Sequence, residues 1–328
     1  MSTPSTASSA PASGAPATTG TVQPSLVNGF VPGPGDLDSV TSSRGWMLDV
    51  DGCLVSTSRA GGAGGSPLPG AIDLLAHLYA AGYSVVICTN ASERTPAHYA
   101  QHLRSLGLDA RDEDFITAGS AAADYVVHHH PGATVLALGT EGITRPLADL
   151  GLTLAEPRAA RPGELADVVL VGAQDGYTRE ELNAACLAVD AGAALYTTVG
   201  SPWFHGGLGK SVAVSAVMAH AIAWATGVTP HVLGKPSPAL GETLQRRLGV
   251  PAAQITIVGD APAEIALART MGSHAALVLS GATSTTDLAT FRGTDRPEVA
   301  VPGVADLLEL LTDRPFHSPH SHPPRSNR

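Results

Sequence analysis

The segment GWMLDVDGCL, residues 45–54, decides the fold, because an apolar run leads directly into two acidic side chains. Residues 45–50 predict a buried strand. Asp49 and Asp51 stand two positions apart where this strand ends, so both carboxylates can face the same crevice. One carboxylate in that position can serve as a nucleophile while the other transfers a proton. A D-x-D triplet also occurs in solvated turns, and this segment alone leaves both interpretations open.

Outward from this segment, short β-rich runs alternate with amphipathic helical runs, from residue 45 to about residue 311. Strands are predicted at residues 45–50, 84–88, 166–171, 254–258 and 275–279. The alternation predicts an α/β fold, in which a parallel sheet carries helices on both faces. Sheets of this kind bind ligands at the carboxyl ends of their strands.

Polar residues follow two more of the predicted strands. Thr89 and Asn90 come after the second strand, where a hydroxyl and adjoining amides can hold phosphate oxygens, although Thr-Asn is also a common cap or turn. Asp260 follows the fourth strand, and Glu264 lies four positions later. Both carboxylates are suitable hard ligands for Mg²⁺, and the ordinary alternative is that Asp260 caps the next helix.

Lysine is scarce in this chain. Only Lys210 and Lys235 stand among 19 basic residues, so each is a candidate for a site that the planar arginine fork does not fit. Lys235 lies in GKPSP, residues 234–238, where it could neutralise both an attacking carboxylate and a phosphoryl group. Lys210 follows a glycine-rich turn and is a candidate specificity residue for a remote anionic part of a substrate. The alternative for either residue is a solvated surface lysine.

Composition and charge exclude several classes of protein. The net charge of −10 argues against a nucleic-acid partner, which would need a basic stripe. Residues 211–228 form the longest apolar stretch, but they are rich in alanine and interrupted by His220, so they predict a buried helix and no membrane partner. Cys53, Cys88 and Cys186 are too few for a disulfide framework, and a cytoplasmic location fits best. Homo-oligomerisation stays open.

The two ends of the chain differ in composition from its middle. Residues 1–43 are mostly Ser, Thr, Ala, Pro and Gly, and residues 313–328 are rich in Pro, Ser and His. Such segments offer few apolar groups to offset the entropy of ordering, so both are expected to be disordered tails. The roughly 270 residues between them are enough for two domains.

The four polar segments, DVDGCL, TN, GKPSP and GD with a later acid, resemble in their order the haloacid dehalogenase (HAD) superfamily of phosphohydrolases. The stretch CTNASERTPAHYAQHLRSLGL, residues 88–108, is similar to subfamily IIA, the branch of p-nitrophenylphosphatase-like and nucleotide or sugar phosphatases. The resemblance covers about residues 44–312. It implies a Rossmann-like parallel core at 44–116 and 230–312, with an α/β cap inserted at 117–229.

The resemblance also implies roles for the site residues. It describes a Mg²⁺-dependent phosphomonoesterase that hydrolyses a small phosphorylated metabolite through an aspartyl-phosphate. In this scheme Asp49 is the nucleophile and Asp51 the acid/base. Thr89, with Asn90, and Lys235 hold the phosphate. Mg²⁺ is bound by Asp49, Asp260 and the main chain of Asp51.

Three departures from the branch bear on these roles. Glu264 stands four residues after Asp260 where the branch has an acid at five, so its place beside the metal is less defined. The loop after Asp51 is longer, with a glycine-rich flap at 61–65, and the cap segment at 197–201 reads TTVGS. The rival functions are a phosphotransferase or phosphomutase, a dehalogenase, and a catalytically silent binding protein.

Overall fold

The computed structural model describes residues 26–56, 64–157, 165–206 and 209–313, with only the backbone described at 204–206, 209 and 210. The described strands are β1 Gly45–Asp49, β2 Val55–Ser56, β3 Ser66–Pro67, β4 Ser84–Thr89, β5 Phe115–Thr117, β6 Thr134–Leu138, β7 Thr153–Leu154, β8 Val168–Val171, β9 Ala194–Thr197, β10 Trp203–Gly206, β11 Gly209–Val212, β12 His231–Val232, β13 Ile255–Gly259, β14 His274–Val278 and β15 Val299–Val301. The described α-helices are α1 Asp36–Thr41, α2 Ala71–Ala80, α3 Pro96–Ser105, α4 Ala118–His129, α5 Glu141–Asp149, α6 Arg179–Asp190, α7 Val214–Thr226, α8 Pro238–Leu248, α9 Pro262–Met271, α10 Thr285–Leu288 and α11 Val304–Thr312.

The larger sheet has six parallel strands in the order β15-β14-β13-β1-β4-β5. Every residue of its central strands β1 and β13 is buried, which is the pattern of a parallel sheet covered on both faces. Helices α2, α3 and α11 pack on one face and α8 and α9 on the other. The expected α/β core is therefore confirmed.

A second, five-stranded sheet lies in the chain between β5 and β13. Its strand order is β12-β9-β8-β6-β7, again with parallel pairs. Helices α4 and α5 contribute to the apolar cluster on one side, and α6 and α7 to the cluster on the other. This arrangement is consistent with the expected α/β cap, although β12, at residues 231–232, lies beyond position 229. The domain limits themselves stay a prediction.

The expectation of a disordered tail over residues 1–43 is wrong for its described part. Val27 and Val40 are buried, the Val27 amide donates to the Ala300 carbonyl oxygen at 3.2 Å, and the Arg296 guanidinium lies over the Phe30 ring. Averaging the composition over 43 residues diluted the apolar side chains that are concentrated after residue 25. Residues 1–25 and 314–328, the remaining parts of the two predicted tails, lie outside the described residues.

Removing residues 1–40 is expected to lower Tm by roughly 5 °C or more. Each buried valine contributes about 1.5–3 kcal/mol, and 1 kcal/mol corresponds to about 2–4 °C in a chain of this size. Thermal unfolding followed by circular dichroism measures the change. Deletion of residues 1–25 is the matched control, because the contacts described above begin after it. An unchanged Tm after the longer deletion would show that this segment contributes nothing.

Two antiparallel hairpins, which the sequence did not predict, leave the sheets. Strands β2 and β3 pair next to Asp51, and they flank residues 57–63. The glycine-rich flap therefore falls mostly outside the described residues, with 64 and 65 at its described edge. Strands β10 and β11 form the second hairpin directly before α7, where the sequence suggested only a glycine-rich turn. Among the described residues, no helix is long and apolar enough to cross a bilayer.

The loop after β4 joins the two sheets. The Ser92 hydroxyl accepts a hydrogen bond from the Ala173 amide at 3.1 Å, and the Thr140 hydroxyl donates to the Glu93 carbonyl oxygen. Gly142 packs so closely on the main chain of this loop that a Cβ there would overlap the Ser92 carbonyl oxygen. Gly234 makes an equally close approach to the Thr198 carbonyl oxygen. The junction thus combines close backbone contacts with hydrogen bonds from two hydroxyl groups.

Candidate active site

The structure brings the predicted residues together at one edge of the larger sheet. Asp49 is the last residue of β1, Thr89 is the last of β4, and Asp260 directly follows β13. These three strands are neighbours in the sheet and run parallel. Their carboxyl ends therefore meet at the same edge, as expected for a ligand site in an open α/β sheet.

Lys235 is the centre of this site. Its buried ammonium forms a short ion pair with Oδ1 of Asp49 and a second pair, of 2.8 Å, with Oε1 of Glu264. It also donates to the Cys88 carbonyl oxygen at 3.3 Å. Ser237 and Pro238 start α8 two and three residues later, with the Ser237 hydroxyl accepting from the Leu240 amide. This cap fixes the end of the loop that carries Lys235.

The site contains more acidic side chains than basic ones. Burial, together with the negative charges of Glu264, Asp260 and Asp51, holds the pKa of Asp49 well above its usual range, against the opposing charge of Lys235. Burial also raises the pKa of Asp260 to about 6. The neighbouring Asp49 and Glu264 outweigh the effect of burial on Lys235 and keep its pKa well above its ordinary value. Two carboxyl groups therefore pair with the ammonium, and those of Asp260 and Asp51 lie close enough to Asp49 to raise its pKa.

Asp260 lies in a cradle formed by two glycines. Its carboxylate accepts from the Ala282 amide at 2.5 Å, and its carbonyl oxygen accepts from the Thr283 amide. A Cβ at Gly52 or Gly281 would overlap this carboxylate, and Gly52 also has a φ of +79° that disfavours any other residue. The carboxylate is therefore held by backbone groups on two sides.

The loop after β14 is a part of the site that the sequence did not reveal. The Ser280 hydroxyl donates to the Gly52 carbonyl oxygen at 2.7 Å, and Gly281 and Ala282 contact Asp260. The signal was a Ser-Gly pair, residues 280 and 281, directly after the strand predicted at 275–279. Such a pair offers only backbone and a hydroxyl, so its contribution is not visible without the fold.

Glu264 supports Lys235 in the structure. One carboxylate oxygen pairs with the lysine, and the other accepts from the Ala261 amide at 3.2 Å, where it caps α9. Both oxygens are thus engaged at the start of that helix. A role for Glu264 beside a metal stays a prediction.

Thr89 and Asn90 occupy different positions relative to Lys235. The buried Thr89 hydroxyl accepts from the Ala91 amide at 3.1 Å, which leaves its own hydrogen to be donated. The Asn90 side chain accepts from the Lys235 amide at 2.8 Å and donates to the Lys235 carbonyl oxygen at 3.3 Å. Asn90 therefore positions the lysine loop, and direct contact of its amide with a phosphate stays a prediction.

Asp51 and Lys210 complete the predicted set. Asp51 is half-buried at the turn between β1 and β2, close enough to Asp49 and Tyr99 to affect the pKa values of both. Lys210 lies on β11 opposite His205. Its side chain lies outside the described part of the structure, so the specificity role suggested by the sequence stays a prediction.

The donor set fits a divalent cation. Asp49 and Asp260 provide carboxylates at one strand edge, and the excess of buried negative charge there is what a hard cation would offset. Among the described residues, no group of three or more His, Cys, Asp or Glu side chains is placed to hold a metal. The expected set does not need one, because its third protein ligand is the main-chain oxygen of Asp51.

Comparison with known proteins identifies the family of this chain. The model of the haloacid dehalogenase-like hydrolases matches residues 46–153, and a HAD-hydrolase-like model matches 232–307. The acid sugar phosphatase of Staphylococcus aureus is 30% identical over 220 residues, which are 66% of this chain and 78% of that protein. The chain belongs to the haloacid dehalogenase-like hydrolases.

Two solved structures indicate which kind of hydrolase this chain resembles. Glycerol phosphate phosphatase of Mycobacterium tuberculosis, in complex with magnesium, is 28% identical, with a TM-score of 0.70 over 81% of this chain and 76% of that one. The 4-nitrophenylphosphatase of Thermotoga maritima, at 24% identity, shares the fold with a TM-score of 0.73 over 83% of this chain and 99% of that one. The resemblance to subfamily IIA is confirmed, and the chain is a phosphatase of small phosphorylated substrates. Phosphatases of this family use a divalent metal.

Proposed function

We propose that this chain hydrolyses phosphate monoesters through a phosphorylated Asp49. The supporting observation is the buried lysine that pairs with Asp49 and Glu264 at the carboxyl ends of neighbouring parallel strands. A carboxylate held in place by an ammonium is oriented for attack, and the same ammonium can offset negative charge on the phosphoryl oxygens.

The reaction has two steps. In the first, a carboxylate oxygen of Asp49 bonds to phosphorus while the bond to the leaving oxygen breaks, and Asp51 gives its proton to that oxygen. In the second, Asp51 takes a proton from water, the water oxygen bonds to phosphorus, and the bond to Asp49 breaks. Phosphate and the free alcohol are the products. Thr89 and Lys235 hold the non-bridging oxygens throughout.

We propose Mg²⁺ as the metal, bound by Asp49, Asp260 and the main chain of Asp51. When bound, the cation supplies positive charge against the phosphoryl oxygens. The protein contributes the cradle of Gly52 and Gly281 around Asp260, and its loop after β14 holds the carboxylate in position.

Turnover is expected to require Mg²⁺ and to be inhibited by Ca²⁺. Calcium takes more ligands at longer distances and favours bidentate carboxylates, which would hold the attacking oxygen of Asp49. Activity after chelation and re-addition of each ion is the measurement. Mg²⁺ should also raise Tm, because it offsets repulsion among buried carboxylates. Full activity after exhaustive chelation would rule out the metal assignment.

We propose a small phosphorylated polyol as the substrate, because related proteins are named acid sugar phosphatase and glycerol phosphate phosphatase. Release of inorganic phosphate from a panel of sugar phosphates, glycerol phosphate and p-nitrophenyl phosphate tests this proposal.

Repeating the panel with Lys210→Met tests the specificity role of that lysine. The substitution should lower activity on substrates with a second anionic group and leave activity on p-nitrophenyl phosphate unchanged.

The same panel decides between the rivals. A phosphotransferase or phosphomutase would retain these residues but pass the phosphoryl group to an acceptor, so little inorganic phosphate would appear. A catalytically silent protein would release none.

We also propose a cytoplasmic location, and its support is that Cys53, Cys88 and Cys186 are all unpaired thiols.

A further inference from the structure

A cavity lies between the segment before α1 and the segment that contains α10. Its volume is about 350 Å³, which is within the range of small-molecule sites. The first segment contributes Val27 and Phe30 to its lining, and the second contributes Leu288 and Phe291. These side chains give the cavity an apolar wall that is partly aromatic.

Two arginines, Arg292 and Arg296, also line this cavity. In the part of the chain that the structure describes, neither forms an ion pair with a carboxylate. Two acids stand in the same stretch of chain, but Asp287 accepts from the amide and hydroxyl of Ser284, and Asp295 pairs with neither arginine. Two positive charges at one cavity without a protein counter-charge favour an anionic ligand.

Protein contacts hold both guanidinium groups in position. Nη1 of Arg292 donates to two carbonyl oxygens just after α10, both at 2.7 Å. The Arg296 guanidinium lies 4.6 Å from the centroid of the Phe30 ring and donates through Nη2 to the Val31 carbonyl oxygen. These hydrogen bonds use one nitrogen of each guanidinium, so other N–H groups of both are left to donate to a ligand. Arginines held in this way lose little freedom when they bind an anion.

The two ends of the chain do not contain the missing acid. Residues 1–25, which lead to the cavity, include no Asp or Glu, and residues 314–328 include none either. A long anionic polymer is disfavoured by the net charge of −10, which would repel it from the rest of the surface. The ligand that fits is therefore a small molecule.

We propose that this cavity binds a small organic anion with a flat apolar body, of which an aromatic carboxylate is the simplest example. The carboxylate pairs with Arg292 and Arg296, and the ring packs among Phe30 and Phe291. Guanidinium groups suit such a ligand because they hydrogen-bond to carboxylates as a planar fork and also stack on aromatic faces. The proposal is independent of the phosphatase reaction, because no residue that lines the cavity is assigned to catalysis.

Binding of 2-naphthoate to the full chain tests this proposal. A titration followed by NMR spectroscopy of the ligand should give a Kd of about 1 mM or lower, the affinity expected for a ligand of this size. As the neutral comparison, 2-naphthamide has the same rings without the charge and should bind at least about tenfold more weakly. This comparison separates the cavity from an exposed apolar side chain such as Trp224, which would not prefer the acid.

Arg292→Gln should raise the Kd of 2-naphthoate at least about tenfold, because the glutamine amide cannot supply a charged fork. Arg292 is exposed, so turnover of p-nitrophenyl phosphate should stay unchanged and shows that the variant is folded. Arg179→Gln is the matched control. Arg179, at the start of α6, is also exposed and without an ion pair among the described carboxylates, so its loss should leave the Kd unchanged.

Three results would each overturn the proposal. A Kd above about 10 mM for the full chain would mean that there is no site. Equal Kd values for the acid and the amide, or an unchanged Kd in both Arg292→Gln and Arg296→Gln, would show that these arginines bind no anion. Competitive inhibition of p-nitrophenyl phosphate hydrolysis, with an inhibition constant equal to the Kd, would place 2-naphthoate at the catalytic site instead.

Discussion

Replacing Asp49 with asparagine is expected to lower phosphatase kcat by at least about a thousandfold. The amide keeps the shape of the side chain but removes the attacking negative charge and one metal ligand. It also leaves Lys235 with Glu264 as its remaining ionic partner. Steady-state hydrolysis of p-nitrophenyl phosphate with saturating Mg²⁺ measures the loss.

Asp73→Asn is the matched control for this substitution. Asp73 is an exposed residue in the first turn of α2, so its replacement should leave kcat within a factor of about two. An Asp49→Asn protein that retained a tenth of wild-type kcat would rule out the aspartyl-phosphate mechanism. Trapping of a phosphorylated wild-type chain at low pH, absent in the variant, would give direct chemical support.

Replacing Lys235 with methionine is expected to damage both stability and turnover. Methionine fills the space, but it leaves the buried Asp49 and Glu264 carboxylates without their cation. Breaking a buried ion pair in this way costs about 3–5 kcal/mol, and kcat should fall at least about a hundredfold. Denaturant unfolding and steady-state kinetics measure the two effects separately.

Arg145→Met provides the matched control. Arg145 pairs with Asp149 on the exposed surface of α5, so the loss of this cation should leave the free energy of unfolding nearly unchanged. The double variant Lys235→Met with Glu264→Gln should recover part of the stability, because one buried charge is removed with its partner, but no turnover. A Lys235→Met protein with wild-type stability and kcat would show that the ion pairs do not matter.

Much of the site was readable from the sequence because its residues stand at strand ends. Asp49, Thr89 and Asp260 lie far apart in the chain, but each follows an apolar run, and parallel strands bring such positions to one edge. The scarcity of lysine also pointed to Lys235. Where nearly all basic residues are arginine, a lysine is a candidate for a functional role.

Other features could not be read in this way because they depend on contacts between distant segments. The pairing of Glu264 with Lys235 requires the loop before α8 to meet the start of α9. The docking of Val27 on the core was hidden by a segment whose average composition is polar. The sequence marks the hairpin of β10 and β11 only by its glycine-rich turn, which does not by itself specify two paired strands.

The glycine contacts at Gly142 and Gly234 bear on how this enzyme could be re-engineered. The substrate of a phosphatase with this architecture could be changed by exchanging its cap for another. Here a transplanted cap would have to reproduce a side-chain-free patch facing the loop after β4, since a single methyl group at Gly142 overlaps the main chain of that loop. The same loop carries Asn90, which holds the backbone of Lys235. A chimera that ignored the patch would therefore misplace Lys235 along with the new substrate pocket.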